Sequence, residues 1–169
     1  MHRPIQRLLA TLILSIAVAI PAMAADNDTH PAAQAVLDFN NAITTRNMDV
    51  GWPLLAEGAV QFNLHPVHAG MGEDPPLTED LLALWTTVTT LLFATTEIYE
   101  RHIHITNVQT DGELATVWTE TQTKTKSEGK EPSVREFSEM YFLINKDDSG
   151  WRIAGTATNR PVDNISVAE

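Results

Sequence analysis

The chain has 169 residues, no cysteine, and 22 acidic against 11 basic side chains, for a net charge of −11. So acidic a surface repels nucleic-acid phosphates and anionic lipid headgroups, which speaks against both as partners. Without cysteine no disulfide can staple the chain, so its stability rests on a buried core.

The first stretch, MHRPIQRLLATLILSIAVAIPAMA, opens on Arg3 and Arg7 and continues into an uncharged run of 13 residues, 8–20. The small-x-small triplet Ala22-Met23-Ala24 follows. This is the layout of a secretory signal peptide, and the run falls short of the roughly 20 residues a membrane span needs. Cleavage near Ala24 is expected to leave a periplasmic or secreted chain with no membrane attachment. The leader carries two arginines and no acid, so its loss takes the net charge to −13. The expected organisation is a leader at 1–24, a flexible tail at 25–30, a single domain at 31–162 and a C-terminal tail at 163–169.

Residues 31–46 read as a helix. Pro31 suits a first turn, and Val36, Phe39, Asn40 and Ile43 share one face. Asn40 is the polar member of that otherwise apolar stripe. RNMDVGWPLLAEGAV reads as a turn, a short helix over 50–55 and a stop at Gly58. AVQFNL, 59–64, is a short strand, and the Pro- and Gly-rich residues after it form an irregular loop. Thr78 is expected to cap the next helix, with Glu79 and Asp80 in its first turn and Leu77 stapled to Leu82. Leu81, Leu84, Trp85, Val88 and Leu92 form its apolar stripe. Six threonines between 86 and 96 are poor helix formers, which leaves the helix end open.

Beyond this helix the apolar period becomes two. Strands are expected at 97–108, 114–126, 134–145 and 151–159. The first hairpin turn centres on Asp111-Gly112. Four strands joined by short connections make an antiparallel meander. Four tryptophans, Trp52, Trp85, Trp118 and Trp151, are evenly spaced, but the segments after them share nothing else, so the spacing marks no repeat.

The order of helix, short helix, short strand, helix and long meander resembles the NTF2-like superfamily, in particular its SnoaL-like and DUF4440-type bacterial members. AVLDFNNAITTRNMDVGWPLLAEGAVQF, GELATVWTE and EMYFLINKDDSGWRIAG carry the likeness. It implies an α+β cone, in which a strongly curved antiparallel sheet wraps the N-terminal helices around an apolar pocket. It also implies a homodimer through the sheet. The third long strand fits this, being apolar on both parities: Phe137, Tyr141 and Leu143 on one side, Met140, Phe142 and Ile144 on the other. Met140, Phe142 and Ile144, with Trp118, are the candidates for a dimer face. The catalytic patterns of the family do not carry over. The first helix has Asn40 and Asn41 but no tyrosine, and neither Arg101 nor Arg135 can be given two flanking aspartates.

Candidates for the pocket lining are Asn40, Trp52, Phe62, His65, His68, Trp85 and Tyr99. His65 follows Phe62 and Leu64, which are expected in the core, and precedes a proline that restricts its backbone. His102 and His104 share one strand face opposite Ile103 and Ile105; the isoleucines suit the concave side, which sends both histidines outward. Four histidines could in principle hold zinc or copper, but spacing alone does not make them converge, so no metal or cofactor is assigned. Glu120 and Glu139, with Arg101, Arg135 or Lys124 near, read as structural ion pairs. The expected function is a conical pocket for a small, mostly apolar ligand, with room for acid–base chemistry such as isomerisation, dehydration or hydrolysis. The alternatives are a non-catalytic dimerising or partner-binding scaffold and, more weakly, a histidine metal site.

Overall fold

Helix α1, Pro31–Thr44, forms on the expected stripe, with Val36, Phe39, Asn40 and Ile43 all buried. The structure is a computed structural model and describes residues 30–64, 76–146 and 150–159. His30 caps α1: its Nδ1 accepts the Ala32 N–H at 3.1 Å, just ahead of Pro31. At the other end the Asn47 N–H reaches Ala42 O at 2.9 Å and the Arg46 N–H reaches Ile43 O at 3.1 Å. This is the Schellman pattern, and it places Arg46 in the left-handed region, φ 57°, where glycine usually sits. The arginine side chain offsets that strain. It donates to Phe93 O at 3.0 Å and Thr96 O at 2.7 Å, the carbonyls at the end of the second long helix.

Helix α2, Met48–Gly51, and a 3-10 turn, Trp52–Leu54, lead into β1, Leu55–Asn63, which begins earlier than the sequence pattern implied. Gly58 is not a helix stop. It lies inside β1 with φ 72°, where the pairing register shifts around a bulge. Strand β2, Leu77–Thr78, pairs with β1, so Thr78 is not the helix cap. Asp80 is: its Oδ1 accepts the Ala83 N–H at 2.8 Å at the start of α3, Leu81–Thr95. With the cap at Asp80, Glu79 precedes the helix and the Leu77–Leu82 staple is out of register. The threonines remain helical. Thr86, Thr87, Thr89 and Thr90 each donate to the carbonyl four residues back.

Strands β3, Thr96–Asp111, β4, Leu114–Ser127, β5, Ser133–Ile144, and β6, Arg152–Asn159, form the expected antiparallel meander. Asp111 pairs with Leu114, so the first turn is Gly112-Glu113, one residue later than expected, with Gly112 at φ 58°. The sheet order is β2-β1-β6-β5-β4-β3, and β1 runs parallel to β6, so the curved sheet is mixed and not wholly antiparallel. Helix α1 lies on the inner face against β3, β4 and β6, and α3 touches β1 and β3. Among the described residues no helix is long and apolar enough to cross a membrane.

Candidate functional site

Alternation along the strands decides what faces the helices. On β3, Tyr99, Arg101 and Ile105 are buried; on β4, Ala115, Val117, Thr119, Thr121 and Thr123; on β5, Phe137, Glu139, Tyr141 and Leu143. The interior therefore has an apolar end and a polar end. At the polar end, Arg101 reaches across β4 to Glu139, with Nη2 to Oε2 at 2.5 Å and side-chain exposures of 1% and 5%. An ion pair is what the sequence led one to expect of Glu139, and Arg101 is the partner among the three candidates.

The pair is the centre of a network. Arg101 Nε donates to Asn40 Oδ1 at 2.6 Å, while Asn40 Nδ2 donates to Val36 O at 2.8 Å and to the Tyr141 hydroxyl at 3.2 Å. The Tyr141 hydroxyl donates to Glu139 Oε2 at 3.0 Å, and Thr121 Oγ1 does so at 2.9 Å. Thr158 Oγ1 donates to Glu139 Oε1 at 3.1 Å. Burial by itself pulls the Arg101 guanidinium down, but the Glu139 carboxylate, with Tyr141 and Tyr99, outweighs it, so the cation is held more firmly than in water. Burial, reinforced by the same carboxylate, pushes the Tyr141 phenol well above its ordinary range. Arg101 and Asn40 oppose that rise without cancelling it. At neutral pH the network thus holds one cation, one anion and neutral partners.

Two buried donors have no acceptor among the described residues: Arg101 Nη1 and Trp85 Nε1. They belong to one locus, since the guanidinium carbon lies 5.6 Å from the Trp85 ring centre and 5.8 Å from that of Phe137. Phe39 meets Trp85 edge-on at 5.8 Å.

Of the residues singled out from the sequence, Asn40, Trp85 and Tyr99 gather here. Trp52 packs half-buried at the margin of the core. His65 and His68 lie outside the described residues. Phe62, expected in the pocket, is 48% exposed, and Leu64 is exposed as well. The register explains it: Phe62 pairs with Ala157, Ala157 with Met140 and Met140 with Trp118, so Phe62 belongs to one cross-strand row on the outer face. Phe142 and Ile144 share that face. His102 and His104 also point outward, as expected, and line a groove of about 580 Å³ with Glu120, Gln122 and Glu136. Among the described residues, no three His, Asp or Glu side chains gather as metal ligands would.

The sequence pattern offered Arg101 as one of three partners for Glu139 but missed the place of the pair at the centre of the interior. The signal was available: Arg101 has the parity of Ile103 and Ile105, and Glu139 that of Phe137 and Tyr141. Among the described residues Arg101 is the one buried arginine, and it lies between one carboxylate and one carboxamide, not two carboxylates.

No family model and no curated protein matches the sequence. Solved structures do. A ketosteroid isomerase-like protein from Erwinia carotovora atroseptica superimposes with a TM-score of 0.58 at 16% identity, over 80% of this chain and 99% of the other. An NTF2-like superfamily protein from Salmonella enterica gives 0.58 at 10% identity, over 80% and 93%. An NTF2-like protein with a cystatin-like fold from Novosphingobium aromaticivorans gives 0.57 at 12% identity, over 80% and 82%. With the mixed curved sheet closing over α1 and α3, these likenesses identify the architecture as the NTF2-like α+β fold.

Proposed function

We propose that this protein is exported and binds a small, mostly apolar molecule inside the sheet, against the Arg101–Trp85 end of the network. The observation that carries this is the pair of buried donors, Arg101 Nη1 and Trp85 Nε1, with no acceptor among the described residues. Buried polar groups in a purely structural network are nearly always paired, because an unpaired one forfeits its hydration without return. The other polar side chains of this network have their partners. The leader sequence supports export.

The network favours holding a ligand over moving protons. Four donors already converge on Glu139, and the Tyr141 hydrogen is committed to it. The likeness to a ketosteroid isomerase-like protein supports acid–base chemistry as a finer version of the same proposal. In that version a substrate has to break one of these bonds to reach a proton donor or acceptor.

A second proposal rests on the outer face. The row Phe62, Ala157, Met140 and Trp118, flanked by Phe142 and Ile144, sets Trp118 at 44% and Phe142 at 37% exposure side by side on a strongly acidic chain. A second copy of the chain covers that face, making a homodimer.

The test of the ligand proposal is extraction. Protein isolated from its own exported fraction is denatured, and the released small molecules are measured by mass spectrometry. A stoichiometric compound, absent from the Trp85→Phe variant, is expected. A crystal structure with a bound water satisfying both donors and no space beyond it would overturn the proposal.

A further inference from the structure

A second groove opens where the start of α1, the 3-10 turn and the end of the β5–β6 hairpin meet. It shares no residue with the interior network or with the outer row. We propose that it binds a neutral saccharide, with a pyranose ring against Trp151 and the ring hydroxyls on Asp38, Gln34 and Arg152.

The groove has a volume of about 590 Å³, within the roughly 300–1,000 Å³ usual for small-ligand sites. Its apolar part is Trp151 with Pro31 and Pro53. The indole is half-buried and fixed, since it packs on the core and meets the His30 ring at 6.0 Å between centres. Its polar part is held in place as well. Gln34 and Asp38 stand one turn apart on α1, and Gln34 Nε2 donates to Asp38 Oδ1 at 2.8 Å. That bond orients both groups and leaves Gln34 Oε1 and Asp38 Oδ2 as acceptors. Arg152, the first residue of β6, adds guanidinium donors. Neither Asp38 nor Arg152 makes an ion pair among the described residues, so both keep their bonding capacity for a ligand.

This lining selects by elimination. One carboxylate and one guanidinium sum to no charge, so an anion meets Asp38 and a cation meets Arg152. A plain hydrocarbon would cover both groups and bond neither. A hydroxyl both donates and accepts, and adjacent hydroxyls on one ring match the two-pronged carboxylate and guanidinium. A pyranose joins such a rim to a C–H face, which suits the indole and the prolines. Gln34, Asp38, Pro53 and Arg152 are exposed, so the groove is open and the bound ring can belong to a longer glycan.

The test titrates cellotriose, maltotriose and N-acetylated chitotriose into the full chain, with deacetylated chitotriose as the cationic comparison and trigalacturonate as the anionic one. Binding is read on the Trp151 indole N–H resonance by heteronuclear NMR, identified as the signal lost in Trp151→Phe. At least one neutral trimer is expected to move that resonance and to bind more tightly than either charged trimer. Asp38 and Arg152 are exposed, so Asp38→Ala and Arg152→Ala should fold as the parent does. Each is expected to weaken that trimer about tenfold, the worth of a charge-assisted hydrogen bond. Retention of the protein on the insoluble form of the same glycan would mark a polymer as the source, and binding of the soluble trimer alone would mark a free oligosaccharide. An indole resonance unmoved by every neutral trimer at about 10 mM would overturn the proposal. So would tighter binding of a charged trimer. Oligoproline moving the resonance where the sugars do not would overturn it too, and would give the groove to a proline-rich peptide. Recovery of an interior ligand by extraction bears on none of these results.

Discussion

Replacing Glu139 by glutamine leaves Arg101 charged, buried and without a counter-ion. Breaking a buried pair from one side typically costs about 3–5 kcal/mol, so Glu139→Gln is expected to lose that much in urea denaturation. The double variant Arg101→Met with Glu139→Met should recover part of the loss, because no lone charge remains. Tyr141 is the pH-sensitive member. Its phenol is raised, so the folded protein keeps the proton at pH values where the unfolded chain, with an ordinary value near 10.0, has lost it. Its contribution is therefore whole below about pH 10 and declines as the pH rises above that. Tyr141→Phe should cost about 1 kcal/mol at neutral pH and show a shallower alkaline fall in stability than the parent. Asn40 was legible in the sequence because a polar residue on a buried helical stripe must find a partner. The choice of Arg101 for Glu139, and the burial of the pair, were not, because β3 and β5 are separated by β4 and the contact is made across it.

Helix α3 illustrates how packing overrules propensity. Its threonines are poor helix formers, yet they stay helical by bonding their own carbonyls four residues back while Leu81 is buried and Leu84, Trp85 and Leu92 pack on the core. Thr90 is exposed and adds nothing to that packing. Thr90→Ala is accordingly expected to stabilise the protein by about 0.5 kcal/mol, read as a higher urea midpoint with unchanged slope. Strand identity, the meander and the apolar stripes were legible because periods of two and of three to four are local signals. The bulge at Gly58 and the Asp80 cap were not. A bulge moves the parity of every residue after it, which is how Phe62 left the core. The cap depended on Thr78 being claimed by pairing with β1, a tertiary event.

For the molecule as a whole, the two faces of one sheet divide the proposed work: ligand inside, second copy outside. If the homodimer forms through the outer row, Phe142→Asp sets a carboxylate in its middle and should yield monomers in size-exclusion chromatography with light scattering. The fold should persist, since the side chain is partly exposed. A dimer unchanged in mass would move the interface elsewhere. The parallel pairing of β1 with β6 also has a temporal side. Leu55 lies beside Ile153 and Asn63 beside Thr158, and β6 sits between β1 and β5. The two parts of the sheet cannot be joined until the last strand has left the ribosome, and contacts so distant along the polypeptide form slowly. If the chain is exported as proposed, that delay would keep it passable through a translocation channel until it has crossed.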